Sequence, residues 1–184
     1  LSRDVDKLLG DYKFIKSNNG ISYMNVPVAF DIETTSFYDA NGNKASIMYA
    51  WVFGINGLCI IGRTWDEFKL VLKRVSEHYQ LRDNKRIVCY IHNLAFEFQY
   101  LSKQFEWSNV FATDERKPVY AVTGGIEFRC SYILSGYSLA MVSKNLVKYK
   151  VDKMVGDLDY SLIIHSKTPL SDKEFGYILN DGLV

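Results

Sequence analysis

Two acidic residues, Asp31 and Glu33, stand one residue apart near the end of the largely apolar run 26–35. Side chains alternate between the faces of a β-strand, so a strand here places both carboxylates on one face and turns Phe30 and Ile32 inward. At about 4 Å and an effective dielectric of about 20, two like charges repel by roughly 4 kcal/mol, which proton sharing or a divalent cation relieves. The pair is therefore a candidate metal platform.

Further polar side chains stand four residues apart at two later places in the chain. Asn93 and Glu97 follow the apolar run 87–91, and Tyr177 and Asp181 lie in the last helix-like segment. Residues four apart share one face of a helix, so each pair can project toward one site. Each pair alone is more often exposed helix surface, but together the four carboxylates are hard oxygen ligands, which favour Mg²⁺ or Mn²⁺ over zinc.

The elements that must position these residues follow from the apolar periodicity, which predicts an α/β domain. Residues 1–25 form a polar lead-in, and residues 26–184 form the core. The predicted core elements are a strand in 26–35, a hairpin of 45–53 and 58–61, a helix over 65–80, a strand over 87–91, a helix over 94–104 capped by Asn93, a hairpin of 119–122 and 126–130, a helix from Ser138 to about residue 149, and a last helix after the capping box at 171–174.

The composition excludes several classes of protein. Hydrophobic residues make up 48% and charged residues 23% of the 184 residues, as in a globular domain. The formal net charge of +1 gives no overall attraction to nucleic acid or membrane, so a polyanion site must be a local patch or a metal centre. Three cysteines without ligand spacing, and no leader or long apolar stretch, predict a cytoplasmic protein with free thiols and no membrane partner.

The order of the motifs resembles that of the DEDDy 3′→5′ exonucleases, and in particular the exonuclease region of the protein-primed family B DNA polymerases of bacteriophages and linear plasmids. The resemblance spans about residues 26–184 and rests on the motifs at 30–35, 90–97, 137–139, 156–160 and 177–181. It implies a ribonuclease-H-like exonuclease fold, with a mixed central sheet flanked by helices. Because the polymerase motifs do not occur, we expect a fragment whose partners are the rest of the polymerase chain and a protein primer.

The resemblance also implies a reaction, the hydrolysis of DNA 3′ ends to nucleoside monophosphates with two divalent cations, Mg²⁺ or Mn²⁺, about 3.5–4 Å apart. Asp31 would bridge both ions. Glu33 and Asp181 would complete the site of the ion that activates water, Glu97 would support the second ion, and Tyr177 would orient the nucleophile. In a parent viral polymerase, within the host cell cytoplasm, this hydrolysis would proofread newly made DNA.

A second set of positions matches residues that hold the single-stranded 3′ end in such enzymes, namely Thr34, Asn93, Phe96, Ser138 and Leu139. Phe96 can stack on a base, and Asn93 and Ser138 can hydrogen-bond sugar or phosphate. The alternatives are that Phe96 belongs to the core and that Ser138 is only a helix cap. We expect His92 to be a positioning residue in this set rather than a base.

Two positions depart from the family pattern. The second motif usually carries Asp, where this chain has Glu97, which is one methylene longer. The family also tends to place a lysine just before the motif at 156–160, where this chain has Val155, with Lys153 two residues earlier. Lys153 is therefore the candidate phosphate contact. Lys144 and Lys148 can extend a basic track along DNA, although a solvated helix face is the favoured interpretation.

Two other functions stay open from the sequence. A stand-alone DEDDy nuclease acting on RNA uses the same set of residues. A non-catalytic nucleic-acid-binding module can keep the fold without turnover, although the intact carboxylates argue against loss of activity.

Overall fold

The structure is a computed structural model, and it describes residues 2–147, 151–154 and 162–183. The motif at 156–160, Val155, Lys148 and the predicted helix end near residue 149 lie outside the described residues. The elements are α1 (Ser2–Leu8), β1 (Phe14–Lys16), β2 (Ser22–Met24), β3 (Val28–Tyr38), β4 (Lys44–Ile55), β5 (Leu58–Gly62), α2 (Trp65–Tyr79), β6 (Lys85–Ile91), α3 (Leu94–Leu101), β7 (Asn109–Ala112), β8 (Pro118–Thr123), β9 (Ile126–Cys130), α4 (Ser131–Ser135), α5 (Leu139–Asn145) and α6 (Asp172–Leu183).

The strands form one mixed sheet in the order β5-β4-β3-β6-β9-β8-β7. The three central strands β3, β6 and β9 are parallel, and antiparallel pairs extend the sheet on both sides. The hairpin of β1 and β2 joins through a parallel pairing of β2 with β6. The sequence-based prediction of an α/β protein with a mixed central sheet flanked by helices is confirmed at this level.

Strand β3 divides its side chains between two environments. Phe30 and Ile32 are buried in the larger core, whereas Asp31 and Glu33 are partly exposed on the other face. Directly after Glu33 the register with β4 shifts by one residue, and Tyr49 is the extra residue on β4. Such a β-bulge bends the strand and increases its twist. The bend therefore falls at the acidic pair.

The larger core lies on the face of the sheet that carries Phe30. Helix α2 begins with the predicted capping box, in which Thr64 and Glu67 satisfy each other's backbone N–H groups. It buries Phe68, whose ring stacks on Phe30 with the centroids 4.3 Å apart and lies 5.1 Å from Trp51. Burial of such aromatic side chains is the main source of stability in a domain of this size.

A smaller core seats α6 on the opposite face, and it contains Tyr49, Ala50, Val52, Ile164 and Ile178. The end of α6 approaches β4 closely, because Gly182 has no side chain. A Cβ atom at Gly182 would lie 2.6 Å from Cγ2 of Val52. This close approach brings the preceding residue, Asp181, close to the two acidic residues of β3.

Several elements differ from the sequence-based predictions. The first 25 residues are not only a polar lead-in, since Val5, Leu8 and Met24 are buried in the larger core. Helix α3 ends at Leu101 rather than near residue 104, and α5 ends at Asn145. The short elements β7 and α4 were not predicted, because neither is long enough to show a periodic pattern. Across the residues that the structure describes, no helix is long and apolar enough to cross a membrane.

Candidate metal centre and nucleic-acid cleft

Three carboxylates meet where β3 and α6 come together. One oxygen atom each of Asp31, Glu33 and Asp181 lies within 4.8 Å of the other two. The alternation of β3 supplies the first two side chains, and the packing of α6 on β4 supplies the third. This acidic cluster can hold a metal ion, as its hard oxygen donors suit Mg²⁺ or Mn²⁺.

A fourth carboxylate, Glu97, reaches the cluster from the first turn of α3. Its side chain is buried, with 4% of the residue exposed, and it shares a hydrogen bond with Asp31. Oε2 of Glu97 is buried and has no hydrogen-bond partner among the residues that the structure describes. A buried polar atom without a partner is costly, and a cation beside it would remove that cost. The donor set therefore fits a divalent metal ion.

The four acids hold protons more tightly than isolated carboxyl groups do. Burial, followed by the charges of Asp31 and Asp181, raises the pKa of Glu33 to about 8. Burial and the neighbouring carboxylates also raise the pKa of Asp31 and that of Glu97. Burial raises the pKa of Asp181, against the opposing effect of Lys153. Without a cation, the cluster therefore keeps protons at neutral pH.

Lys153 lies inside this site. Its ammonium group contacts Oδ1 of Asp181 and lies 4.8 Å from the centre of the Tyr177 ring. Its backbone N–H donates to Oγ of Ser143 on α5, at 3.0 Å. The next N–H donates to Oδ1 of Asn180 on α6, at 2.7 Å, and Nδ2 of Asn180 donates to the carbonyl of Asp152. Two helices thus hold the segment 151–154 so that the lysine faces the acids.

Tyr177 and Asp181 come together on one face of α6, as their spacing predicts. The phenol of Tyr177 donates a hydrogen bond to Asp181, which opposes the rise in the pKa of that carboxyl group. Lys153 contacts the same carboxylate, so Asp181 is held from two sides. The phenol is thereby fixed beside the acidic cluster.

A cleft of about 520 Å³ opens beside the cluster, and its lining includes Asp31, Tyr90, His92, Leu139, Lys153 and Asp181. Nδ1 of His92 lies 3.1 Å from Oγ of Ser131, and its ring meets Tyr132 edge-on. Burial, and then the charge of Lys153, lowers the pKa of His92. A fixed, neutral imidazole agrees with a positioning residue.

Four residues of the predicted nucleic-acid set are not part of the cleft lining. Within the described ranges, Thr34, Asn93, Phe96 and Ser138 do not line the cleft. Asn93 is the N-cap residue of α3, as predicted, but its backbone is left-handed, with φ of 68°, and its side chain makes no capping hydrogen bond. Phe96 is 38% exposed and packs on Tyr100, which excludes the alternative that it is a core residue. Ser138 does cap α5, accepting from the N–H of Met141.

The sequence did not indicate the residues whose hydrogen bonds hold the backbone around the acidic cluster. Nε of Arg63 donates to the carbonyl of Tyr49 in the bulge, at 2.7 Å, and its Nη2 donates to the carbonyls of His165 and Thr168, both at 2.9 Å. Oγ1 of Thr35 donates to the carbonyl of Leu162, at 3.1 Å. These bonds tie the strand leading away from the acids to the segment that enters α6. No sequence motif indicates these hydrogen bonds, because each of them joins two residues that are far apart in the chain.

The chain matches no family model, no curated protein and no solved structure. The functional argument therefore rests on the site itself. It offers four carboxylates, one phenol and one ammonium group, and three of these residues, Asp31, Lys153 and Asp181, line the cleft. Such a set can bind a divalent cation and present it to an anionic substrate.

Proposed function

We propose that this chain is a metal-dependent 3′→5′ exonuclease with a ribonuclease-H-like fold, and that it is the proofreading region of a phage-type family B DNA polymerase. The observation that carries the proposal is the convergence of Asp31, Glu33, Glu97 and Asp181 from three separate elements. A partly buried group of like charges is unfavourable for folding alone, so it points to a ligand. The parallel centre of the sheet is compatible with the proposed fold.

Asp31, Glu33, Glu97 and Asp181 would hold Mg²⁺ or Mn²⁺, which supplies Lewis acidity at the scissile phosphate and lowers the pKa of the attacking water. Tyr177 orients the nucleophile from its position beside Asp181. Lys153 places a positive charge at the cleft, where a phosphate would lie. His92 stays neutral and shapes the cleft wall next to Ser131. The substrate in this proposal is the 3′ end of single-stranded DNA.

The proposal is tested with 5′-labelled single-stranded DNA and the purified chain. We expect stepwise shortening from the 3′ end with Mg²⁺ or Mn²⁺ and none with EDTA. Asp31→Asn and Glu33→Gln should each slow the reaction about 10³-fold, because each removes the charge of a ligand while keeping the size of the side chain. Shortening that persists at the wild-type rate in both variants would contradict the proposal and indicate a contaminating nuclease.

Two further measurements distinguish the proposed function from an RNA nuclease and from a non-catalytic module. A matched RNA oligomer tests for a nuclease that acts on RNA, which would degrade RNA faster than DNA. Calorimetric titration with Mn²⁺ tests for a non-catalytic module, which would show no uptake of ions that depends on Asp31. If Mn²⁺ binds and the wild-type chain cleaves neither polymer, the site is a metal site without nuclease activity.

A further inference from the structure

The register of the sheet brings four large side chains into one line on the face that carries the acids. Tyr90 on β6 is opposite Arg129 on β9, Arg129 is opposite Tyr120 on β8, and Tyr120 is opposite Phe111 on β7. Directly opposed residues point to the same face of a sheet. Adjacent strands lie about 4.8 Å apart, so this transverse row extends about 14 Å from Tyr90 to Phe111.

The transverse row begins at the candidate cleft. Tyr90 is opposite Ala29, which lies two residues before Asp31 on β3, so the row and the acids share a face. Tyr90 also lines the cleft together with Asp31 and Asp181. A chain seated with its end at the acids can therefore continue along the row.

The transverse row is at least partly exposed from Arg129 to Phe111. Phe111 is 49% exposed, and its ring lies 5.6 Å from that of Tyr120 at an angle of 31°. The side chain of Arg129 is 34% exposed. Helix α3 packs against this end of the sheet from the other side, where its Leu94 and Phe128 of β9 share the larger core.

The charge along the transverse row is positive. Glu127 is buried and pairs with two arginines, with Arg129 Nε at 2.6 Å and with Arg86 Nη1 at 3.1 Å. Two guanidinium groups against one carboxylate leave a net charge of +1. The guanidinium of Arg129 also lies 5.3 Å from the centre of the Tyr23 ring. These contacts hold the arginine in place before any ligand binds.

We propose that the transverse row is a stacking platform for single-stranded nucleic acid, which carries the nucleotides upstream of the 3′ end across β6, β9, β8 and β7. This inference rests on the proposed function. Aromatic rings interleaved with a fixed arginine accept bases of any identity, because every base has a π-face. Aromatic side chains on adjacent strands of a sheet can stack two or three bases. The net positive charge favours a polyanion over a second protein surface.

The affinity for single-stranded oligonucleotides, measured without metal, tests the stacking platform. Fluorescence anisotropy in EDTA compares labelled single-stranded oligomers of about 2 and about 12 nucleotides. We expect the wild-type chain to bind the longer oligomer more tightly. Phe111→Ala combined with Tyr120→Ala should weaken binding of the longer oligomer about tenfold or more and leave the shorter one unchanged, since only the longer one reaches these rings.

Two controls keep this test decisive. Tyr38→Ala removes a tyrosine that is 74% exposed at the end of β3, away from the row, and should leave both affinities unchanged. Phe111→Ala alone changes an exposed side chain on an edge strand, so it remains folded if the double variant does not. We expect it to weaken binding of the longer oligomer several-fold. Urea unfolding of each variant checks that the fold is intact.

The outcomes of this inference and of the proposed function are separate. Equal binding of the longer oligomer by wild type and by both row variants would overturn the platform, even if the chain cleaves DNA. Weaker binding by the row variants would support the platform, even if no cleavage is found. Loss of a dimer in the row variants, with unchanged affinity for the oligomer, would identify the row as a contact between copies and overturn the inference.

Discussion

The two faces of β3 differ in chemistry although alternating residues of one strand form them. Phe30 and Ile32 enter a core in which aromatic rings contact one another, and Phe68 is its centre. Asp31 and Glu33 face α6, where burial raises the pKa values of the acids. The first face stabilises the fold, and the second costs stability in exchange for a site that can bind a cation. The apolar face must therefore supply the free energy that holds the acids together.

The largest expected effect on stability comes from the apolar face. Phe68→Ala should lower the free energy of unfolding by about 3–5 kcal/mol, because it removes a fully buried ring and leaves a cavity. Urea unfolding measures the change. Leu70→Ala, on the solvent-facing side of the same helix, should change it by less than about 0.5 kcal/mol. Similar losses in both variants would contradict the assignment of Phe68 to the centre of the core.

On the acidic face, Asp31→Asn should lower the activity without lowering the stability. We expect the rate of cleavage to fall about 10³-fold, equivalent to about 4 kcal/mol, because a central ligand loses its charge. The metal-free protein should be as stable as the wild type or more stable, since one of the clustered charges is gone. Asp66→Asn, at an exposed carboxylate on α2, is the matched control and should change neither quantity. A marked loss of stability in Asp31→Asn would show that the acid supports the fold.

Lys153→Ala should slow cleavage less than Asp31→Asn does. We expect kcat/KM to fall about tenfold to hundredfold, because a positive charge at the cleft is lost. Mn²⁺ should bind more tightly, because Asp181 no longer contacts an ammonium group. Lys144→Ala, at an exposed lysine on α5, should leave both measurements close to wild type. Weaker Mn²⁺ binding in Lys153→Ala would mean that the lysine organises the acids.

The most gradual effect is the pH dependence of the free energy of unfolding of the metal-free chain. The pKa of Glu33 is about 8 in the folded protein, against an ordinary value of 4.5. Between these values the folded state keeps a proton that the unfolded chain has released, so the free energy of unfolding falls as the pH rises. We expect a fall of up to about 1 kcal/mol per pH unit from about pH 5 to about pH 8.

Urea unfolding in EDTA at several pH values measures that fall. Saturating Mg²⁺ should reduce it, because an ion that binds only the folded state stabilises the ionised acids. Glu33→Gln should also reduce it, whereas Glu106→Gln, outside the cluster, should not. A free energy of unfolding that rises over this range would contradict the direction of the pKa shift.

Local patterns in the sequence predicted the elements that carry the site. The alternation around Asp31 gave the correct faces of β3, and the capping boxes at Thr64 and Ser171 gave the correct starts of two helices. Asn93 is at the predicted N-cap position but makes no side-chain cap, because the turn from β6 into α3 needs a left-handed residue there, which asparagine tolerates. The bulge at Tyr49 was not predicted, since it exists only in the pairing of two strands.

The sequence by itself determined which residues could form the site, because residue type and short-range periodicity are local properties. Only the tertiary structure decided that Glu97 reaches Asp31, that Lys153 contacts Asp181, and that Arg129 stands in line with Tyr120. Each of these contacts joins residues far apart in the chain. Sheet register and the close approach of α6 at Gly182 set them, and both depend on the packing of the whole domain.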